Sequence, residues 1–271
     1  MAKKIKFKQH LKALSLFCNV GIAESYFDEI GIDVKVANEL LPERSRFYSH
    51  LYPAVNMING NITDDSVFKK VIAAAKKAEV DFVMATPPCQ GMSCAGRKDP
   101  KDPRNSLIYY AVEAIKRIKP KYALIENVPM QQHTKISYKG KDIFIPEYVE
   151  KELGHLYNFN TDRVVNAADY GVPQSRSRYI YLIVRKDQDI SWSFPPKESH
   201  RITAMEAIGS LPSLDPLLRE ESERWRFPDY EKKRKAGLKI SKWHYATKQS
   251  WKLVELMMHT PTGKSAFLNE H

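Results

Sequence analysis

The sequence predicts an α/β fold, a mostly parallel sheet with helices on both faces, followed by a smaller region of different character. Three observations carry this reading. Through residue 186, short apolar runs alternate with amphipathic stretches, as right-handed crossovers and covered sheet faces require. Beyond residue 186 that rhythm stops. The stretch 191–199 (SWSFPPKES) is aromatic and proline-bearing, Leu211-Pro212 and Asp215-Pro216 punctuate the next segment, and 219–235 is dense in mixed charge. Finally, 271 residues at about 150 per domain suit two domains, or one large α/β domain with an appendage.

The elements come in order. Residues 13–18 (ALSLFC) read as a buried strand and 21–30 as a helix. VKVA at 34–37 is a second strand, and 42–51 a helix with Pro42 in its opening turn. Asp64 or Asp65 caps a helix that runs through Val67, Val71 and Ile72 to about Ala78. Residues 80–85 (VDFVMA) form a strand halted by Pro87-Pro88, and 106–118 a helix ended by Pro120. YALI at 122–125 is a strand stopping at Glu126-Asn127, while Val164-Val165 and 179–184 (YIYLIV) close the sheet. In such sheets ligands bind outside the carboxyl ends of the strands, where the unusual residue clusters of this chain fall.

Composition narrows the function classes. A hydrophobic share of 43% supports a real core. No run of 18 apolar residues exists to cross a membrane, and MAKKIKFKQH lacks the apolar stretch of a secretory signal. Cys18, Cys89 and Cys94 form no CxxC pair, which argues against a disulfide-stapled fold and a structural zinc site and for reduced thiols in the cytosol. No metal is expected. The net charge of +11 suggests a polyanionic partner. Its distribution is diffuse apart from residues 1–12, a basic N-terminal arm with five Lys and no acid.

The chemistry sits at the strand ends. In Thr86-Pro87-Pro88-Cys89-Gln90 a cysteine ends a buried strand and is held by two prolines. A free cysteine is more often a small buried hydrophobe than a nucleophile, but its company favours the second role. Glu126-Asn127-Val128 ends the next strand; partial desolvation there raises a carboxyl pKa and suits it to donate a proton. Gln174-x-Arg176-x-Arg178 runs into the last strand, where arginines need partners.

Five motifs in order resemble the C5-cytosine methyltransferase family. They are Phe17-Cys18-Asn19-Val20-Gly21, Thr86 to Gln90, Asp102-Pro103-Arg104-Asn105-Ser106-Leu107, Glu126-Asn127-Val128, and Asn166 through Arg178 (NAADYGVPQSRSR). Each is weak alone; together, across residues 13–186, they are specific. The resemblance implies a Rossmann-like catalytic domain over 13–186 that uses S-adenosylmethionine and releases S-adenosylhomocysteine, with a target-recognition region from 187 to 271. It implies Cys89 as the covalent nucleophile at cytosine C6 and Glu126 on N3 and the exocyclic amine. Arg178 then reaches O2 and Arg176 steadies the site. Pro87 offers its carbonyl to the amine, with Gln90 and Asn127 beside the substrate. The base must leave the stack to be reached from both faces. Residues 91–105 match the family's lid, whose Arg97 and Arg104 face phosphates.

For the cofactor, the resemblance assigns Phe17, Asn19, Val20 and Gly21 to the turn against the methionine part. Glu39 falls at the ribose, Asn61 and Ile62 at the adenine, and Pro88 and Leu107 in the wall, with Leu40 also among the cofactor-binding residues. Three positions depart from the family: Asn19 stands for the first glycine, Ser15 for a frequent acid, and Asn61 for an aspartate. Asn tolerates left-handed backbone and its carbonyl accepts from an amine, so binding is expected to be adequate or somewhat weaker.

The family's last two motifs are not recognisable, so the chain is expected to stop inside its recognition region and to be a poor catalyst alone. The bacterial type implies a monomer in the cytoplasm acting on double-stranded DNA, with a restriction endonuclease of the same site as a candidate partner. An RNA (tRNA) cytosine-5 methyltransferase on the same scaffold is the nearest rival, disfavoured by a recognition region still unfinished after 85 residues. A non-catalytic DNA-binding remnant has no use for Cys89, and a nicotinamide dehydrogenase lacks its glycine fingerprint.

Overall fold

A computed structural model describes residues 10–88, 107–261 and 263–266. It divides into two compact units, Met1–His200 and Arg201–His271.

The first unit opens with β1 (Leu11–Leu16) and β2 (Ile32–Glu39), then α1 (Pro42–Leu51), β3 (Asn56–Asn59), α2 (Asp65–Lys77) and β4 (Phe82–Ala85). After α3 (Ile108–Ile118) come β5 (Tyr122–Asn127), a hairpin of β6 (Lys135–Tyr138) and β7 (Lys141–Phe144), and α4 (Ile145–Leu153). β8 (Tyr157–Phe159), β9 (Val164–Asn166) and β10 (Ser177–Arg185) complete it. The main sheet runs β3-β2-β1-β4-β5-β10-β8, with β9 also paired to β10. Its first five strands are mutually parallel, and β10 is antiparallel to β5. Strand order reverses between β1 and β4, the switch point at which a crevice opens.

Alternation along the strands sorts the core onto two faces. Leu14, Leu16, Val83, Ala85, Ala123 and Ile125 face a large cluster built with Phe68 and Val71 of α2, Val112 and Ile115 of α3 and Val149 of α4. Their neighbours Ala13, Phe82 and Met84 face the other way, against Phe27, Tyr122, Leu124 and Trp192. Tyr48 of α1 packs on Ala37 and Cys18. The segment after β10 is tied at both ends. Trp192 stacks edge-on against Phe82 and Tyr122, while Lys197 pairs with Asp169 and the Glu198 amide donates to the Asp169 carbonyl.

The helix expected over 21–30 does not form. Residues 19–27 are turns, and only Asp28–Ile30 makes a 3-10 turn. The local bonds are one residue short of α-helical, Ser25 N–H to Ile22 and Phe27 N–H to Glu24, and the Glu24 side chain turns inward to Ser15. β3, the β6–β7 hairpin, α4 and β8 had no counterpart in the sequence reading.

The second unit contains α5 (Ala204–Ile208), β11 (Leu217–Leu218), α6 (Tyr230–Leu238), β12 (Lys248–Gln249) and α7 (Trp251–Met258), with β11 parallel to β12. Among its described residues the Arg226 guanidinium lies over the rings of both Trp225 and Trp251. No helix among the described residues is long and apolar enough to cross a membrane.

Ile125 is wholly buried in the middle of β5. Ile125→Ala is expected to cost about 2–5 kcal/mol, from lost transfer energy and a residual cavity, read as a lower urea midpoint at unchanged slope.

Candidate active site

The turn after β1 is built from unusual backbone. Phe17 (φ 59°), Asn19 (φ 54°) and Gly21 (φ 84°) alternate in the left-handed region, which costs a residue with a Cβ about 1–2 kcal/mol. Bonds to three neighbours hold the shape: Cys18 N–H to the Asn38 carbonyl, Asn19 N–H to Glu39 Oε2, and Thr86 Oγ1–H to the Phe17 carbonyl. Gly21 is required for a second reason. A Cβ there would lie 2.3 Å from Cε2 of Tyr52, whose hydroxyl donates to the Gly21 carbonyl at 2.6 Å.

Glu39 ends β2 with both carboxyl oxygens directed: Oε2 accepts from Asn19 N–H and Oε1 from Leu41 N–H, each at 3.0 Å. The Asn59 amide donates to the carbonyls of Glu39 and Leu40. Asn61 Oδ1 accepts from the Thr63 amide at 3.1 Å, an Asx turn that leads towards α2.

At the ends of β4 and β5 the buried Asn127 amide donates to the Pro87 carbonyl at 3.1 Å, and its Oδ1 accepts from Val128 N–H. Asn127 thus fixes the prolines that immediately precede Cys89. Glu126 lies opposite Ile180 in the β5–β10 register, and Arg178 Nε meets Glu126 Oε1 at 2.7 Å. Burial pushes the Glu126 carboxyl above its ordinary value; Arg178 and then Arg176 pull it back, and burial prevails. Asn166 Oδ1 accepts from the amides of Ala168 and Arg176, shaping the turn that carries Arg176.

One cleft of about 950 Å³ is lined by Phe17, Asn19, Glu39, Leu40, Asn61 and Ile62, and by Pro87, Pro88, Leu107, Glu126, Asn127, Arg176 and Arg178. Val20 and Gly21 are not in its wall; Gly21 backs onto the tyrosine rings. Cys89, Gln90, Arg97 and Arg104 lie outside the described residues. The sequence reading missed Ile22, Ala23, Arg44, Met84, Leu124 and Ile180, which also line the cleft. Only period-two alternation offered a signal, placing Ile180 on the same side of β10 as Arg178.

The fold, the strand-end motifs and a cleft at the switch point match a known family. The sequence profile of the C-5 cytosine-specific DNA methylases matches residues 11–266. The chain belongs to that family. Among curated relatives, Type II methyltransferase M1.HgaI of Avibacterium volantium is 39% identical over 97% of this chain and 68% of its own length. Type II methyltransferase M.XorII of Xanthomonas oryzae is 31% identical over 74% of this chain, and M.DdeI of Desulfomicrobium norvegicum 32% over 76%. The chain spans about half the length of these last two, 46% and 49%. A solved structure of a protein encoded within an Escherichia coli prophage superposes with a TM-score of 0.59. It is 26% identical over 77% of this chain and 57% of its own. Spodoptera frugiperda DNMT2, at a TM-score of 0.52 and 23% identity over 71% of this chain and 54% of its own, shares the fold.

The methylase cleft makes a titration prediction. Arg178 lowers the Glu126 pKa against the burial that raises it. Arg178→Gln is therefore expected to move the Glu126 midpoint further up, read from its side-chain carboxyl carbon shift by NMR; a midpoint that stays or falls contradicts the pairing.

Proposed function

We propose that the protein transfers a methyl group from S-adenosylmethionine to carbon 5 of a flipped-out cytosine in double-stranded DNA. The observation that carries this reading is the Glu126–Arg178 pair at 2.7 Å, set in the same cleft as Pro88, the turn at Phe17–Asn19 and Glu39.

The donor set suits the cofactor. A carboxylate at Glu39, an amide carbonyl at Asn61, apolar Ile62 and Leu107 and a turned backbone at Phe17–Asn19 are what a nucleoside joined to an amino acid needs. When bound, S-adenosylmethionine supplies the methyl group and leaves as S-adenosylhomocysteine.

The chain's own residues prepare the base. Cytosine C5 is a poor nucleophile, and addition of the Cys89 thiolate at C6 makes it an enamine carbon that can attack. Glu126, its carboxyl pushed upward by burial, donates a proton to N3 and accepts from the exocyclic amine through its other oxygen. Arg178 reaches O2 while staying paired to Glu126, and Arg176 stands beside it. After transfer, a base takes the C5 proton and the Cys89 sulfur leaves, restoring the ring. Gln90 and the lid residues Arg97 and Arg104 contact DNA; residues 13–186 are the catalytic domain and 187–271 belong to target recognition. The Type II designation of the relatives supports a restriction-modification setting, in which methylation protects sites from a cognate endonuclease; we place the protein in the cytoplasm as a monomer.

Cys89→Ser is expected to abolish methyl transfer while leaving DNA binding largely intact, and wild type alone to form a covalent adduct with 5-fluorocytosine duplexes. Methylation by the variant at the wild-type rate, or an adduct on RNA only, overturns the reading. Glu126→Gln is expected to slow transfer by about 10²–10⁴-fold, measured in single turnovers with tritiated cofactor.

A further inference from the structure

Behind the cleft lies a buried polar cluster that this chemistry does not use. Glu24, 3% exposed, reaches back under the turn, and Ser15 Oγ, wholly buried in β1, donates to its Oε1 at 2.5 Å. Neither Glu24 Oε2 nor the buried Tyr48 hydroxyl has a hydrogen-bond partner among the described residues. Burial pushes the Glu24 carboxyl up, opposed by hydrogen bonds from Ser15 and from its own backbone. Its charge in turn acts on the Cys18 thiol and on Tyr48, both also pushed up by burial.

A carboxyl removed from water is destabilising unless its hydrogen bonds return something. What this one returns is the path of the backbone. The chain leaves β1 after Leu16, contributes Phe17, Cys18, Asn19, Ile22 and Ala23 to the cleft wall, and is fastened back to β1 by Glu24. The fastening spans a stretch with two non-glycine residues in the left-handed region and no regular helix, so local propensity does not hold it. Tyr52 grips the same stretch at the Gly21 carbonyl.

We propose that Glu24 is a positioning residue for cofactor binding: its hydrogen bond with Ser15 clasps residues 17–23 into the shape that lines the cleft. This rests on the cofactor assignment above.

The test is calorimetric titration of S-adenosylmethionine and S-adenosylhomocysteine into wild type, Glu24→Ala, Glu24→Gln and Ser15→Ala. Thermal melts and methylation at saturating cofactor accompany it. Glu24→Ala and Ser15→Ala are expected to bind both ligands about tenfold or more weakly, as loss of a buried hydrogen bond requires. Their kcat at saturating cofactor is expected to stay within about threefold. Glu24→Gln, whose carbonyl still accepts from Ser15, is expected to stay within about threefold of wild type in affinity. Unchanged affinity in Ser15→Ala overturns the proposal even if Glu24→Ala does not fold. So does a Glu24→Gln as weak as Glu24→Ala, or a fall in kcat with affinity intact. Wild type that binds neither ligand overturns the cofactor assignment and this proposal with it, whereas equal binding by all four proteins overturns this proposal alone.

Discussion

The parallel ladder through β2, β1, β4 and β5 sets the level at which the first-strand turn, Glu39, Thr86 and Glu126 meet in the cleft. Leu16 pairs with Asn38 on one side and Ala85 on the other, and Ala85 pairs with Ile125. The residues one position beyond these pairings therefore meet at one edge, Phe17 and Thr86 just past their strands and Glu39 and Glu126 still within theirs. Phe17, Glu39, Thr86 and Glu126 come from four separate stretches of sequence. Backbone hydrogen bonds between strands bring them to the same level, and Thr86 Oγ1–H adds a direct bond to the Phe17 carbonyl. Because both faces of the sheet are packed, a slip of one residue in any strand would turn buried side chains to the wrong face. Register at the site is thus enforced by the core.

Past the strand ends the backbone is irregular, and side chains take over the work of the ladder. Asn38 donates to the carbonyls of Ile58 and Gly60, Asn59 to those of Glu39 and Leu40, Asn127 to that of Pro87, and Asn166 accepts from two amides. A side-chain amide offers both donor and acceptor, so it can replace a missing neighbouring strand. Charge is used sparingly by comparison. Burial raises the Glu126 carboxyl above its ordinary value even beside an arginine, because burial outweighs the pair.

The sheet and its ligand edge were legible because apolar runs of strand length report burial directly, and Pro87-Pro88 and Glu126-Asn127 mark where two of them end. The region from 21 to 30 was misread for a physical reason. Ile22, Tyr26 and Ile30 recur at helical spacing, yet they are 77%, 70% and 52% exposed, and the segment's fixed points are Gly21 against the tyrosine rings and Glu24 under β1. Periodicity assumes that the apolar face is the buried one; here a lone acid is buried instead. The short strands β3 and β8 escaped because four and three residues carry too little pattern, and they form by pairing with partners distant in sequence. Gly21 was expected in the cleft wall by its motif, whereas its neighbours in space, invisible to sequence, place it against Tyr52.

The strap from Trp192 to Glu198 has a consequence for how such a chain can diversify. It is moored at the start of β4 and β5 through Phe82 and Tyr122, and again at Asp169 beside the turn that carries Arg176. Substitution at Phe82, Tyr122 or Asp169 would therefore loosen the exit of the first unit as well as the element it belongs to, so these positions are less free to vary than their place outside the cleft wall suggests.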